Sequence, residues 1–316
     1  MNRIGIMATS VTLAFLLAAC QPEEPMEAPV EEQVDVDDLE ASDDPVVEDP
    51  SLHLSAVLEA QPAEIQARYP ARNPQQTLEF FGIEPEMTVV EVLPGGGWYT
   101  RILLPYLGSE GRLVGVTYNH DMWPKFGMFD DERIESLRTW PEDWPGQIVR
   151  EAEDWPFLPE DLAEVSAFEF GSMPEELADT ADAALLIRGL HNLARFEDEG
   201  GYMSEALEDL YKVLKPGGTV GVVQHEARED MSDEFAGGAR GYLKKQFVKD
   251  RFTEAGFEFV ADSDINENPA DQPGENDFVW RLPPTLATSE EDSELRREME
   301  DIGESHRMTL KFRKPE

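Results

Sequence analysis

From about Ser51 onward, short apolar runs alternate with segments whose apolar residues recur at helical spacing. Residues 74–81 (PQQTLEFF) predict a helix end that Gly82 stops. Thr88–Leu93 is a first strand, followed by a turn at Pro94-Gly95-Gly96-Gly97 and a helix over about 98–107. Gly111–Tyr118 is a second strand, Val165–Phe170 a weaker third and Ala181–Ile187 a fourth. An amphipathic helix over Ser204–Leu214 ends at Lys215-Pro216-Gly217-Gly218, and Thr219–Gln224 is a fifth strand. A helix over Gln246–Ala255 is halted at Gly256, Phe257–Ala261 is a sixth strand, and Met308–Phe312 closes the chain. Seven short strands separated by helices predict an α/β, doubly wound, mostly parallel sheet. Four of the six tryptophans precede proline (123–124, 140–141, 144–145, 155–156). Those between strands two and three are read as packing a loop against the sheet, the alternative being an aromatic lid over an apolar substrate.

The first fifty residues follow another pattern. Residues 1–20 carry Arg3, an apolar or small stretch from Ile4 to Ala19, and the ending Leu17-Ala18-Ala19-Cys20. That ending resembles the bacterial lipobox, in which the cysteine is lipidated and becomes residue one. The plainer alternative is an ordinary secretory signal ending near a cysteine. Because Cys20 is the only cysteine, lipidation is the reading taken, with membrane attachment at that residue. Gln21 after it resembles the outer-membrane signal of proteobacterial lipoproteins, which implies the periplasmic side of a Gram-negative cell envelope. Residues 21–50 contain thirteen acids, no lysine or arginine, and prolines at 22, 25, 29, 45 and 50. Self-repulsion and low hydrophobicity predict an extended acidic tether, leaving residues 51–316 as the folded domain.

Composition narrows the classes further. The chain has 316 residues and a formal charge of −41, from 67 acids and 26 lysines and arginines. One positive charge in residues 1–20 and thirteen negative ones in residues 21–50 leave −29 for the domain. Sequence-wide electrostatic attraction to nucleic acid is excluded on that balance. A single cysteine also excludes an internal disulfide, a thiolate zinc cluster and an iron–sulfur site.

The turn after strand one carries the most chemistry. Glycines let a backbone approach a ligand closely, and the helix start that follows offers free N–H groups. The spacing is not that of a dinucleotide-binding G-x-G-x-x-G. Glu91, four residues before Gly95-Gly96-Gly97, resembles motif I of class I S-adenosylmethionine-dependent methyltransferases. Tyr211–Gly218 (YKVLKPGG) and the later Gly256-Phe257 also resemble that family. More narrowly, LPGGGWYTR (93–101), Asn268-Pro269-Ala270-Asp271 and Phe312-Arg313-Lys314-Pro315 resemble a group of exported bacterial predicted methyltransferases. The resemblance spans about residues 60–316 and implies a Rossmann-like methyltransferase fold, S-adenosylmethionine as cofactor and a small-molecule acceptor. Carried over position by position, it implies cofactor contacts at Glu91, Gly95, Gly96, Gly97, Tyr99, Asn119, Ser172 and Met173. Two positions depart from the family pattern. Leu93 stands where the first glycine is usual, and Val116-Thr117-Tyr118-Asn119 lacks the acid that grips the ribose hydroxyls.

In an open parallel sheet, ligands bind beyond the carboxyl ends of the strands. Strand four runs into Arg188-Gly189-Leu190-His191-Asn192, and strand five into Gln224-His225-Glu226. His191 and His225 are therefore candidate proton acceptors, with Glu226 to orient or assist them. The alternative is that both histidines merely cap helices or bond loop backbone. No H-x-H or H-x-x-x-H pattern supports a metal, and no G-x-S-x-G supplies a nucleophile elbow. Arg240, Lys244, Lys245 and Lys249 form a basic cluster, read as a helix face balancing nearby acids. Two functions stay open: a lipid-anchored methyltransferase, or a non-catalytic envelope protein that kept the fold. An export signal places the domain where the cofactor is not made, which favours the second; the Glu91–Gly95–Gly97 spacing favours the first.

Overall fold

The computed structural model describes residues 50–291 and 293–316. The expected lipidation site at Cys20, the expected signal segment and nearly all of the expected acidic tether lie outside them. Helix α1 (Pro50–Glu59), the single turns α2 (Ala63–Gln66) and α3 (Tyr69–Arg72), and α4 (Pro74–Phe81) lead to β1 (Thr88–Val92). Then come α5 (Thr100–Leu107), β2 (Arg112–Thr117), a 3-10 turn at His120–Phe126, α6 (Asp131–Arg138), α7 (Trp140–Ala152) and β3 (Glu164–Glu169). β4 (Ala181–Ile187) is followed by α8 (Leu190–Arg195), α9 (Glu197–Gly200), α10 (Tyr202–Val213) and β5 (Leu214–Ala227). The chain ends through β6 (Leu243–Lys244), α11 (Lys245–Glu254), β7 (Glu258–Ser263), a 3-10 turn at Val279–Arg281, α12 (Glu294–Ile302) and β8 (Arg307–Arg313).

The main sheet has the order β3-β2-β1-β4-β5-β8-β7, with β6 pairing off this path to the end of β5. β1 to β5 are parallel, and β8 runs antiparallel to both neighbours. The chain's winding reverses between β1 and β4, which opens a crevice at their carboxyl ends. This is the doubly wound, mostly parallel arrangement that the alternation predicts, and it is the Rossmann-like methyltransferase fold.

Strand alternation assigns the two faces. Val90, Val92, Val114, Val116, Ala184 and Leu186 pack into one core with α8, α10 and α11. Val89, Leu113, Ala183 and Leu185 pack into the other with α1, α4, α5 and α7. Gly115 falls on this second face, where an added Cβ would sit 2.5 Å from the Trp144 ring. Trp140 and Trp144 stack on each other at 5.1 Å. Two of the tryptophan–proline pairs therefore belong to α7 and pack the sheet. Pro141 lies in the first turn of that helix, where a missing N–H is harmless. The Lys215–Gly218 turn is a bulge inside β5: opposite Ala181 and Ala183 stand Leu214 and Thr219.

Candidate functional site

Glu91 alternates onto the face of α5, and its carboxyl is buried there. Its Oε2 accepts a hydrogen bond from Thr100 Oγ1 at 2.7 Å. Burial raises its pKa to about 7, against the opposing pull of the Thr100 hydrogen bonds. Beyond it the chain makes three left-handed residues, Leu93 (φ 55°), Gly95 (φ 58°) and Gly97 (φ 71°). For leucine that conformation costs roughly 1–2 kcal/mol. Its side chain lies over Gly189, where an added Cβ would fall 2.6 Å from Leu93 Cδ1. The backbone of Gly95 and Gly96 is exposed, and a Cβ built on Gly96 would meet nothing within 4 Å.

A cleft of about 830 Å³ lies at the carboxyl edge of the sheet. Leu93, Tyr118, Arg188 and His225 bring the ends of β1, β2, β4 and β5 to it, and the Phe278–Ala287 segment covers it. One wall is aromatic: Tyr118, Phe126 and Phe129 lie 5.3, 5.5 and 5.7 Å from the Trp123 ring. Tyr118 stands just past the end of β2. Its hydroxyl donates to the Gly189 carbonyl at 2.6 Å and accepts from Asn192 Nδ2 at 3.1 Å. Trp123, from the tryptophan–proline run, does line this cleft, while Trp140 and Trp144 do not.

His191, on α8, and His225, on β5, both line the cleft with ring centroids 5.9 Å apart. His191 is only 5% exposed, and neither of its ring nitrogens makes a well-formed hydrogen bond, although the Gln224 side chain and the Arg188 backbone lie near enough to influence the ring. An imidazole left so is expensive, and a bound polar group would satisfy it. Burial lowers its pKa to about 4. His225 Nδ1 shares a 2.6 Å hydrogen bond with Ser305 Oγ, and burial holds this ring well below the ordinary histidine value. Both rings are therefore neutral at pH 7; His191 offers a lone pair and an N–H, and His225 only its Nε2.

A charged group that the sequence did not single out flanks the histidines. Arg68, Arg72, Arg188 and Arg307 all surround the carboxylate of Glu304. Arg68 Nε donates at 2.9 Å and Arg72 Nε at 3.3 Å, Arg307 lies 3.3 Å away, and Arg188 only reaches 3.9 Å. These residues come from separate stretches of chain, so no spacing rule could join them. A usable hint was the presence of Arg68 and Arg72 four apart in a chain poor in bases.

The other sequence-predicted positions lie elsewhere. Glu226 points away from the cleft: its Oε2 is 3.3 Å from Lys245 Nζ and 3.6 Å from His306 Nε2. Adjacent strand residues face opposite sides, so His225 and Glu226 cannot both line one cleft. Asn119 Nδ2 donates to Glu205 at 2.9 Å, and Asn119 Oδ1 accepts from the Asp121 N–H, so both its polar atoms are engaged. Ser172 is exposed and Met173 packs on the core. Tyr99 is buried behind the turn, close enough to Arg188, Arg307 and Arg72 to feel their charge. Asn268 bonds the Ile302 and Glu304 carbonyls at 2.8 and 2.6 Å, and Asp271 pairs with Arg281 at 2.6 Å. The Asn268–Asp271 motif thus clamps the segment that carries Glu304 and the cleft cover. In the basic cluster, Lys244, Lys245 and Lys249 pair with Asp233, Glu226 and Asp262. Glu226, Glu267 and His306 are close enough to share a cation, but the Lys245 ammonium already lies against both carboxylates.

No family model and no curated protein matches the chain. Among solved structures, it is similar to the [4+2]-cyclase SpnF, at 16% identity over 78% of this chain and 81% of that one, with a TM-score of 0.49. It is also similar to a SAM-dependent methyltransferase from Aquifex aeolicus (17% identity, 69% and 93% covered, TM-score 0.44). A third is geranyl diphosphate C-methyltransferase from Streptomyces coelicolor A3(2), solved with Mg2+, geranyl diphosphate and S-adenosyl-L-homocysteine (12%, 82% and 87%, 0.48). Likenesses this distant carry no functional argument, and the fold rests on the chain's own strand order.

Proposed function

We propose that this chain is an S-adenosylmethionine-dependent methyltransferase acting on a small-molecule acceptor. The observation that carries this reading is the placement of Glu91 and the exposed Gly95–Gly96 backbone at the point where the strand order reverses, beside a ligand-sized cleft. The residues present fit the cofactor in two of its parts. Glu91 and the open cradle at Gly96 suit its methionine end, and the Tyr118–Trp123 wall suits a planar base. When bound, S-adenosylmethionine supplies an electrophilic methyl group. His191 and His225 would orient the acceptor by hydrogen bonding. A ring with a pKa of about 4 is a weak base at neutral pH, so His191 serves better to position than to deprotonate. Trp123, Phe278 and Trp280 give the cleft an aromatic lining.

Calorimetry of the full chain with S-adenosylhomocysteine tests this, with saturable binding expected. No binding at millimolar ligand would refute it. Gly97→Val should abolish binding, because φ 71° excludes a β-branched residue, and unchanged affinity would refute the site. Leu93 and Tyr118 favour a second reading, a ligand-binding envelope protein that kept the fold, and failure of the same titration would support it. For either, the reading includes membership of the exported bacterial group, with attachment through Cys20 to the periplasmic face of the outer membrane. Cys20→Ser should then release the protein from membranes, and unchanged retention would refute lipidation.

A further inference from the structure

Four guanidinium groups around one carboxylate leave an excess of three positive charges inside a chain whose net charge is −41. Like charges gathered away from water destabilise a fold unless something compensates them. Three of the four have local compensation. Arg307 donates to the Ala71 and Ser305 carbonyls at 2.6 and 3.2 Å, Arg72 lies 4.5 Å over the Trp98 ring, and Arg68 bonds Glu304 through two nitrogens. Arg188 is different. Its nearest carboxylate is 3.9 Å away, its Nε is buried without a partner, and it alone of the four lines the cleft.

Two neighbours point the same way. Arg195 lines the cleft from α8, lies 4.6 Å over the Phe196 ring and makes no ion pair among the described residues. His191, with both ring nitrogens unpartnered, lies near enough to Arg188 and Arg195 to feel both charges. Among the described residues, the sole carboxylate on the cleft wall is Glu304, already shared by the arginines. The rest of the lining is largely apolar and aromatic, and the Trp280 ring lies 5.8 Å from the His191 ring. A cation would meet two guanidinium groups here, and a neutral apolar molecule would leave Arg188 and His191 unsatisfied. An anion satisfies both, since charge-assisted bonds to guanidinium are strong and directional.

We propose that the cleft takes a small molecule with an apolar, ring-bearing body and a carboxylate or phosphate head group that meets Arg188 beside His191. In the methyltransferase reading this molecule is the acceptor, and that assignment rests on that reading. The preference for an anion does not, and it stands or falls without any cofactor present.

The test uses two isosteric probes, 2-naphthoate and neutral 2-naphthamide, titrated calorimetrically into the full chain. Naphthoate is expected to bind roughly tenfold or more tightly than the amide. Arg188→Gln should erase that preference, and Arg188→Lys should keep part of it. Arg195→Gln, at an exposed position, should weaken naphthoate several-fold and serves if the Arg188 variants fail to fold. Equal affinities for the two probes, no naphthoate binding at millimolar concentration, or a preference that survives Arg188→Gln would each overturn the proposal. Saturating S-adenosylhomocysteine should leave naphthoate binding intact. Displacement would place naphthoate on the cofactor's own surface, at its carboxylate or on the Tyr118–Trp123 wall, and overturn the acceptor assignment.

Discussion

Glu91 should act against the stability of the fold it helps to define. Its pKa is about 7 in the folded protein, against an ordinary value of 4.5, because burial disfavours the charged form. A folded-state pKa raised in this way gives a stabilising contribution that is fully present below pH 4.5. It declines by about 1.4 kcal/mol per pH unit and is lost as pH rises through 7. The total change is about 3 kcal/mol. Glu91→Gln removes the titration while keeping an oxygen for the Thr100 hydroxyl, now 2.7 Å from the carboxylate. The new amide adds a pH-independent offset, so the diagnostic quantity is the change in the difference between variant and parent. Urea unfolding of both proteins from pH 4.5 to pH 8 should show the variant gaining about 3 kcal/mol on the parent, or about 1 M or more in midpoint. Parallel pH profiles would refute the reasoning. The same substitution should weaken S-adenosylhomocysteine binding, because a buried acid kept at such a cost is explained by a ligand and not by stability.

His191 supplies the opposite slope: with a folded-state pKa of about 4 against 6.5, it stabilises above pH 6.5 and loses about 3 kcal/mol as pH falls to 4. His191→Leu should therefore close the gap to the parent progressively below pH 6.5, and a pH-independent difference in urea unfolding would contradict the assigned burial. At Gly238 (φ 91°) an added Cβ would stand 2.1 Å from the His191 carbonyl and 3.1 Å from the Arg195 nitrogen. Gly238→Ala must displace α8, so it should destabilise by roughly 3 kcal/mol or more and abolish naphthoate binding. A variant melting within a degree or two of the parent would show that the loop and helix are not packed as described.

Much of the frame was legible in the sequence because it depends on local rules. Alternating apolar residues marked β1, β2, β4 and β5, and Glu91 with its glycines marked the turn at the reversal of strand order. The rule that ligands sit at strand carboxyl ends found His191 and His225. Strand alternation, applied one step further, would have set Glu226 on the other side. The helix α7 was hidden by two tryptophan–proline pairs, although proline is tolerated in a first helical turn. Ser293, whose Oγ accepts from the Arg296 N–H at 3.0 Å, was a readable helix cap for α12.

The character of the cleft was not legible, for a physical reason. Short-range steric and hydrophobic patterning determined the strands, the glycine turn and the edge of the sheet that would bear a ligand. Charge, by contrast, is collected through space. Arg68 and Arg72, Arg188, and Glu304 with Arg307 lie far apart along the chain, and the winding of the sheet brings them to one carboxylate. A chain of net charge −41 thereby holds a positively charged wall at its candidate site. Tyr118 likewise has no sequence signature as a wall; its hydroxyl reaches Gly189 only because β2 and β4 flank β1. The sequence by itself determined the edge of the sheet on which the candidate site lies, and the tertiary structure decided the charge and shape of its wall.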